Sequence, residues 1–270
     1  MPLLKVQGHD LFYSLTPAEA DSTPKNVTIL FIHGLGSSHS YYASMTPSLA
    51  QQGYACLAFD TPGSALSAHR GEDVDAETIA AIAGDLLSAL KLDSKRIVAV
   101  GHSMGAIVVS ELALRFDLLG AVMIGPVNPS DALFDARIEM VQSGGMEAVA
   151  KWVPSVATGP KATATHKAFI RALLLAQTAE GYMSLCRTIA RAPRPRYADM
   201  GCPLLIVAGS HDKTCPLSGS EAILASWGVD ENRKRLVVLD GVGHWHCVEA
   251  AEEVLEQVAG FANKVAAEAT

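Results

Sequence analysis

The pentapeptide Gly101-His102-Ser103-Met104-Gly105 stands between an apolar run, residues 97–100, and a segment of helical periodicity, residues 104–116. A serine at the junction of a buried strand and a helix occupies a sharp, strained turn. Glycines two residues before and two after it let strand and helix approach closely. The hydroxyl then projects above the sheet edge at a helix N-terminus, where the helix dipole favours developing negative charge. Such a unit needs a sheet with helices packed on its faces.

The rest of the chain supplies that sheet. Short apolar runs recur at residues 27–32, 54–59, 96–100, 121–124, 204–208 and 236–239. Their shortness, flanking turn residues and lack of polar alternation predict strands covered on both faces. Residues 3–7 and 11–15 flank Gly8-His9-Asp10 and predict an opening hairpin. Between strands, residues 75–92 place Ile79, Ile82, Leu86, Leu87 and Leu90 on an apolar stripe, and residues 104–116, 220–227 and 249–265 have similar patterns. The expected class is α/β: a mostly parallel, doubly wound sheet of about eight strands. A length of 270 residues suits one such core with an insertion.

Residues 127–199 break the rhythm. They hold helical patterns at 132–142, 146–152, 165–175 and 181–190 but no strand. Pro129, Gly144-Gly145, Pro154, Gly159-Pro160, Pro193 and Pro195 punctuate them. The expected organisation is a helical cap, 127–199, inserted into an α/β core of residues 1–126 and 200–270. The cap carries nine Lys/Arg against six Asp/Glu, a balance of +3, within a chain of net charge −7.

No basic run stands out of this acidic background, so no nucleic-acid partner is expected. No segment approaches the roughly 18 apolar residues of a membrane span, and residues 1–15 lack the apolar block of a signal peptide. A cytoplasmic location is expected. Cys56, Cys186, Cys202, Cys215 and Cys247 follow no zinc or redox spacing and are read as small buried hydrophobes in a reducing compartment.

A serine hydroxyl is a poor nucleophile until a base takes its proton, and the base needs an orienting partner. After an elbow of this kind the acid precedes the histidine in the chain. The run 204–208 leads into Gly209-Ser210-His211-Asp212, which puts Asp212 in a loop beyond a strand's C-terminal end, where open α/β sheets form their sites. The run 236–239 leads into Asp240-Gly241-Val242-Gly243-His244-Trp245-His246, where His244 follows Gly-x-Gly and is preferred over His246. Ser103, Asp212 and His244 are thus the expected catalytic residues. Asp60 has a similar placement but the wrong chain order and is read as structural, and His102 is expected to pack beside the elbow. No clustered His/Cys/carboxylate set accompanies the histidines, so neither a metal nor a cofactor is expected. The loop His33-Gly34-Leu35-Gly36 follows the first buried run. Backbone N–H groups of Leu35 and Met104 are the expected oxyanion hole.

The segments HGLGSS, DTPGSALS, GHSMG, GSHDKTCP and GVGHWHCVE, in this order, resemble the α/β-hydrolase superfamily over nearly the whole chain. GGMEA (144–148) and EGYMSLCRTIA (180–190) resemble segments of 3-oxoadipate enol-lactonases, which open a small carboxylated lactone through an acyl-enzyme. The resemblance implies an esterase or lactonase acting on a small-molecule ester or lactone. The positive cap would suit an anionic one. Phe134, Trp152 and Tyr182 are candidates to line its pocket. Hydrolysis of a C–C bond and perhydrolysis use the same triad, and a receptor-like binding protein with slow or no turnover is the rival class. The natural substrate and the oligomeric state, a homodimer included, stay open.

Overall fold

The structure, a computed structural model, describes residues 3–128 and 131–269. The expected breaker Pro129 lies outside the described residues.

Eight strands form one sheet: β1 Leu3–Val6, β2 His9–Thr16, β3 Thr28–Ile32, β4 Ala55–Phe59, β5 Ile97–His102, β6 Gly120–Ile124, β7 Leu204–Gly209 and β8 Lys234–Leu239. Their order is β1-β2-β4-β3-β5-β6-β7-β8. β1 and β2 pair antiparallel, as does β2 with β4; every other pairing is parallel. β3, β5, β6 and β7 are buried at every position, which is why their sequences run apolar without alternation. The edge strands β1 and β8 are half exposed.

The core helices are α1 Thr46–Gln51, α2 Ala76–Ala89, α3 Met104–Arg115, α7 Leu217–Ser226, α8 His246–Glu249 and α9 Ala251–Glu268. α1 was not expected; it is six residues long, too short to show periodicity. The C-terminal helical stretch is split, because Ala250 leaves the helical region at φ −146° between α8 and α9.

Three helices lie in the chain between β6 and β7: α4 Asp131–Val156, α5 Ala164–Leu175 and α6 Ala179–Ala190. The two segments expected at 132–142 and 146–152 run together as α4, kinked at Gly145, whose φ of 64° and ψ of −171° are not helical. Thr163 and His166 form a capping box for α5, and Thr178 caps α6 through the Gly181 amide. Specific polar contacts dock these helices on the core. Arg187 holds Asp73 through Nε at 2.7 Å and Nη2 at 2.8 Å. The Gln177 amide donates to Ser37 O at 3.1 Å and accepts from Ala65 N at 3.1 Å. Thr188 donates to Val74 O at 2.5 Å. No helix among the described residues is long and apolar enough to cross a membrane.

Candidate active site

Ser103 sits between β5 and α3 with φ 52° and ψ −114°, a left-handed conformation that a non-glycine residue adopts only under strain. Its N–H donates to Ile124 O at 2.9 Å, which fixes the turn to β6. The flanking glycines are forced by contact. A Cβ at Gly101 would lie 2.2 Å from Gly105 O, and a Cβ at Gly105 would lie 2.1 Å from Ile32 O.

The loops beyond β7 and β8 bring the other two residues to the serine. His244 Nε2 lies 3.0 Å from Ser103 Oγ. His244 Nδ1 lies 2.8 Å from Asp212 Oδ2. Since an ionised carboxylate only accepts, Nδ1 carries the proton and Nε2 offers its lone pair to the serine O–H. Asp212 Oδ1 accepts from Thr214 N at 2.9 Å and Cys215 N at 2.8 Å. Burial opposes ionisation of Asp212, yet the adjoining His244 ring, with further help from His246 and the Cys215 amide, holds its carboxyl below the usual range.

Two more histidines support this one. His102 Nε2 and His246 Nδ1 both donate to His244 O, at 2.8 and 3.0 Å. His102 also stacks on Tyr41, with ring centroids 4.4 Å apart. Burial, with the neighbouring His244 and His246 rings, drives His102 well below the ordinary histidine value, and burial brings His246 down to about 4. Both rings brace the His244 backbone through that carbonyl. His246 Nε2 stays 4.0 Å from Asp212 Oδ2, so of the two rivals it is His244 that meets both serine and acid.

Glu249 is a residue that the sequence analysis missed. It is buried, and its carboxylate accepts from Gly243 N at 3.0 Å, Trp245 N at 3.0 Å and Gly159 N at 2.7 Å. Its only trace in the sequence is a glutamate five residues after the histidine, which the structure places at the end of α8. Asp60 is fully buried away from the serine and accepts from the His39 N–H and ring and from Leu66 N.

Leu35 follows Gly34, at which a Cβ would lie 3.0 Å from Ser103 Cβ. The Leu35 amide donates to no protein acceptor among the described residues. Met104 opens α3, so its N–H is one of the donors a helix start leaves unpaired.

Leu35, Ser103, His244, Thr214 and Trp245 share a cavity with Phe134, Arg137, Val153, Ala157, Leu174 and Tyr182 from the inserted helices and their ends. Its volume is about 30 Å³. Of the three aromatic residues expected to line it, Phe134 and Tyr182 do; Trp152 instead lies over Arg137, its ring centroid 4.7 Å from Cζ.

The fold also gathers a set that the sequence analysis did not expect: donor atoms of Asp212, Cys215 and His244 lie within 4.8 Å of one another. Cys215 comes three residues after the acid but far from the histidine in the chain. A metal there would displace the Asp212–His244 hydrogen bond. It would also meet a thiol that burial and the Asp212 charge push well above its ordinary value.

A model of the alpha/beta hydrolase family matches residues 29–257. Two relatives share the name "Putative carbamate hydrolase RutD". The protein from Rhizobium rhizogenes is 32% identical over 138 residues, 48% of this chain and 52% of its own length, so the chain spans about half of that relative. The Escherichia coli protein is 28% identical over 231 residues, 79% of this chain and 82% of its own. Among solved structures, a thermophilic esterase from Thermogutta terrifontis superposes with a TM-score of 0.86 at 20% identity, over 98% of this chain and 99% of that one. The enol-lactonase from Burkholderia xenovorans LB400 superposes with a TM-score of 0.84 at 23% identity, over 97% and 100%. At these identities the structural likeness speaks for the fold alone. The sheet order, the serine turn and a family match that runs from β3 into the last helix agree: this chain belongs to the alpha/beta hydrolase family.

Proposed function

We propose that this hydrolase cleaves a small-molecule ester or lactone through an acyl-enzyme. Ser103 is the nucleophile, His244 the general base and acid, and Asp212 the residue that orients the histidine. The observation that carries the reading is the unbroken hydrogen-bond chain from Asp212 through His244 to Ser103, 2.8 and 3.0 Å, ending on a strained turn.

In the first half-reaction, His244 Nε2 takes the Ser103 proton as Oγ bonds to the substrate carbonyl carbon. The N–H groups of Leu35 and Met104 hold the resulting oxyanion, each such donor being worth roughly 10²- to 10³-fold in rate. His244 then gives the proton to the leaving oxygen as its bond to carbon breaks. In the second half, His244 deprotonates water, which attacks the acyl carbon; the carboxylic acid leaves and Ser103 regains its proton. A lactone follows the same path, with its alcohol still tethered to the acyl group.

The relatives named for carbamate hydrolysis favour a second reading, a carbamate substrate on the same triad. The test is turnover of p-nitrophenyl esters of graded chain length, alongside lactone and carbamate panels, by the wild type and Ser103→Ala. Turnover that falls by several orders of magnitude in the variant supports the acyl-enzyme, and the preferred panel names the bond. Equal inertness of the two proteins overturns it and leaves the receptor-like alternative.

A further inference from the structure

Arg137, on α4, keeps only 9% of its surface exposed. Its Nη1 donates to Tyr182 Oη at 3.1 Å, and its buried Nε has no hydrogen-bond partner among the described residues. Of the other arginines of the inserted helices and the segment after them, Arg171 pairs with Glu147, Arg187 and Arg191 with Asp73, and Arg196 with Asp199, while Arg194 is exposed to solvent. Arg137 has no such ion pair among the described residues. A buried charge without a counter-ion is costly, and proteins retain one chiefly where something else supplies the opposite charge. This cation lines the same small cavity as Ser103 and His244.

We propose that Arg137 is the counter-ion for a carboxylate on the substrate, so that the ester or lactone opened at Ser103 is a small organic anion. This rests on the hydrolase reading above for the reaction, though not for the binding. The details select a carboxylate. The Trp152 ring covers one face of the guanidinium, and the group that matches a guanidinium's planar fork is a planar two-oxygen acceptor. The Tyr182 hydroxyl accepts from Arg137 and keeps its own proton to donate. Arg137 and Ser103 line one cavity, which suits a short chain between carboxylate and scissile carbonyl.

The experiment compares 4-nitrophenyl hydrogen glutarate with its neutral methyl ester. In the wild type, kcat/KM for the anion should exceed that for the neutral ester by roughly tenfold to hundredfold, the range for a hydrogen bond to a charged group. Arg137→Met should bring that ratio to near unity, and Arg137→Lys should restore part of it. A wild-type ratio at or below unity overturns the proposal, as does an Arg137→Met variant that slows both esters equally. Calorimetry of glutarate on Ser103→Ala, with and without Arg137→Met, reads the anion site apart from turnover. Glutarate binding that needs Arg137, in a protein that hydrolyses neither ester, would keep the anion site and sink the hydrolase reading. Hydrolysis of both esters without discrimination would do the reverse. Should Arg137→Met fail to fold, the wild-type ratio and Arg137→Lys decide.

Discussion

The Glu249 carboxylate and the Gly159 amide, 2.7 Å apart, tie the histidine loop to the segment between α4 and α5. The same carboxylate accepts from the amides on both sides of His244, those of Gly243 and Trp245. Glu249 is therefore a positioning residue that never meets the reacting atoms. Hydrogen bonds to a charged group contribute about 1.5–3 kcal/mol each and are not additive here, so Glu249→Ala should destabilise by about 3 kcal/mol in urea unfolding. It should also lower kcat at least about tenfold by loosening the base, the scale on which small misplacements act. A destabilised variant with unchanged kcat would reduce Glu249 to scaffolding.

Strain at Ser103 gives a second expectation. Left-handed conformations of this kind cost about 1–3 kcal/mol, and glycine escapes most of that while adding some unfolded-chain entropy. Ser103→Gly should lose turnover yet melt roughly 2–4 °C above Ser103→Ala, which keeps the Cβ. Differential scanning calorimetry of the pair decides it; a Gly variant that melts lower would mean that the turn is unstrained.

Asp212→Asn leaves the shape of the site but removes the charge that fixes the His244 tautomer. Turnover should fall by on the order of 10⁴-fold, as it does when the acid of a serine-protease triad is amidated. The Thr214 and Cys215 amides still find a carbonyl oxygen if the side chain keeps its present orientation. A variant that is folded and inert is the expected outcome, and one that keeps more than a tenth of wild-type kcat/KM contradicts the role.

How much of this was legible depended on whether the signal was local. Gly101, Ser103 and Gly105 announce their turn because backbone contact forbids a side chain at either glycine, whatever the rest of the chain does. Buried strands such as β3 and β5 are equally plain, being apolar apart from Thr28 and His102 at their ends. Arg137 and Glu249 were opaque for the opposite reason. On a helix, an arginine or a glutamate reads as solvated surface, and only three-dimensional contact reveals that one lacks an acid and that the other serves three amides. The kink in α4 sits at Gly145, but sequence alone could not tell a bend from a break. Cys215 joined the acid and histidine only because the loops beyond β7 and β8 converge.

His246 yields an expectation about acid stability. Its Nδ1–H is held by His244 O, and burial lowers its pKa to about 4, whereas an unfolded histidine titrates near 6.5. Between those values the unfolded chain binds a proton that the folded one refuses, so stability declines as pH drops from about 6.5 towards 4, by up to about 1.4 kcal/mol per pH unit from this group. His33 and His102, also lowered, act in the same direction, and Asp212 adds a loss only at still lower pH, near and below the ordinary carboxylate value. His246→Asn keeps a donor for His244 O but cannot titrate. Urea midpoints from pH 7.5 to 4.5 should therefore fall less steeply in the variant than in the wild type, by up to one proton's worth of slope, even if the variant starts from lower stability. Parallel curves would mean that His246 is already charged in the folded protein, paired with Asp212 across the present 4.0 Å.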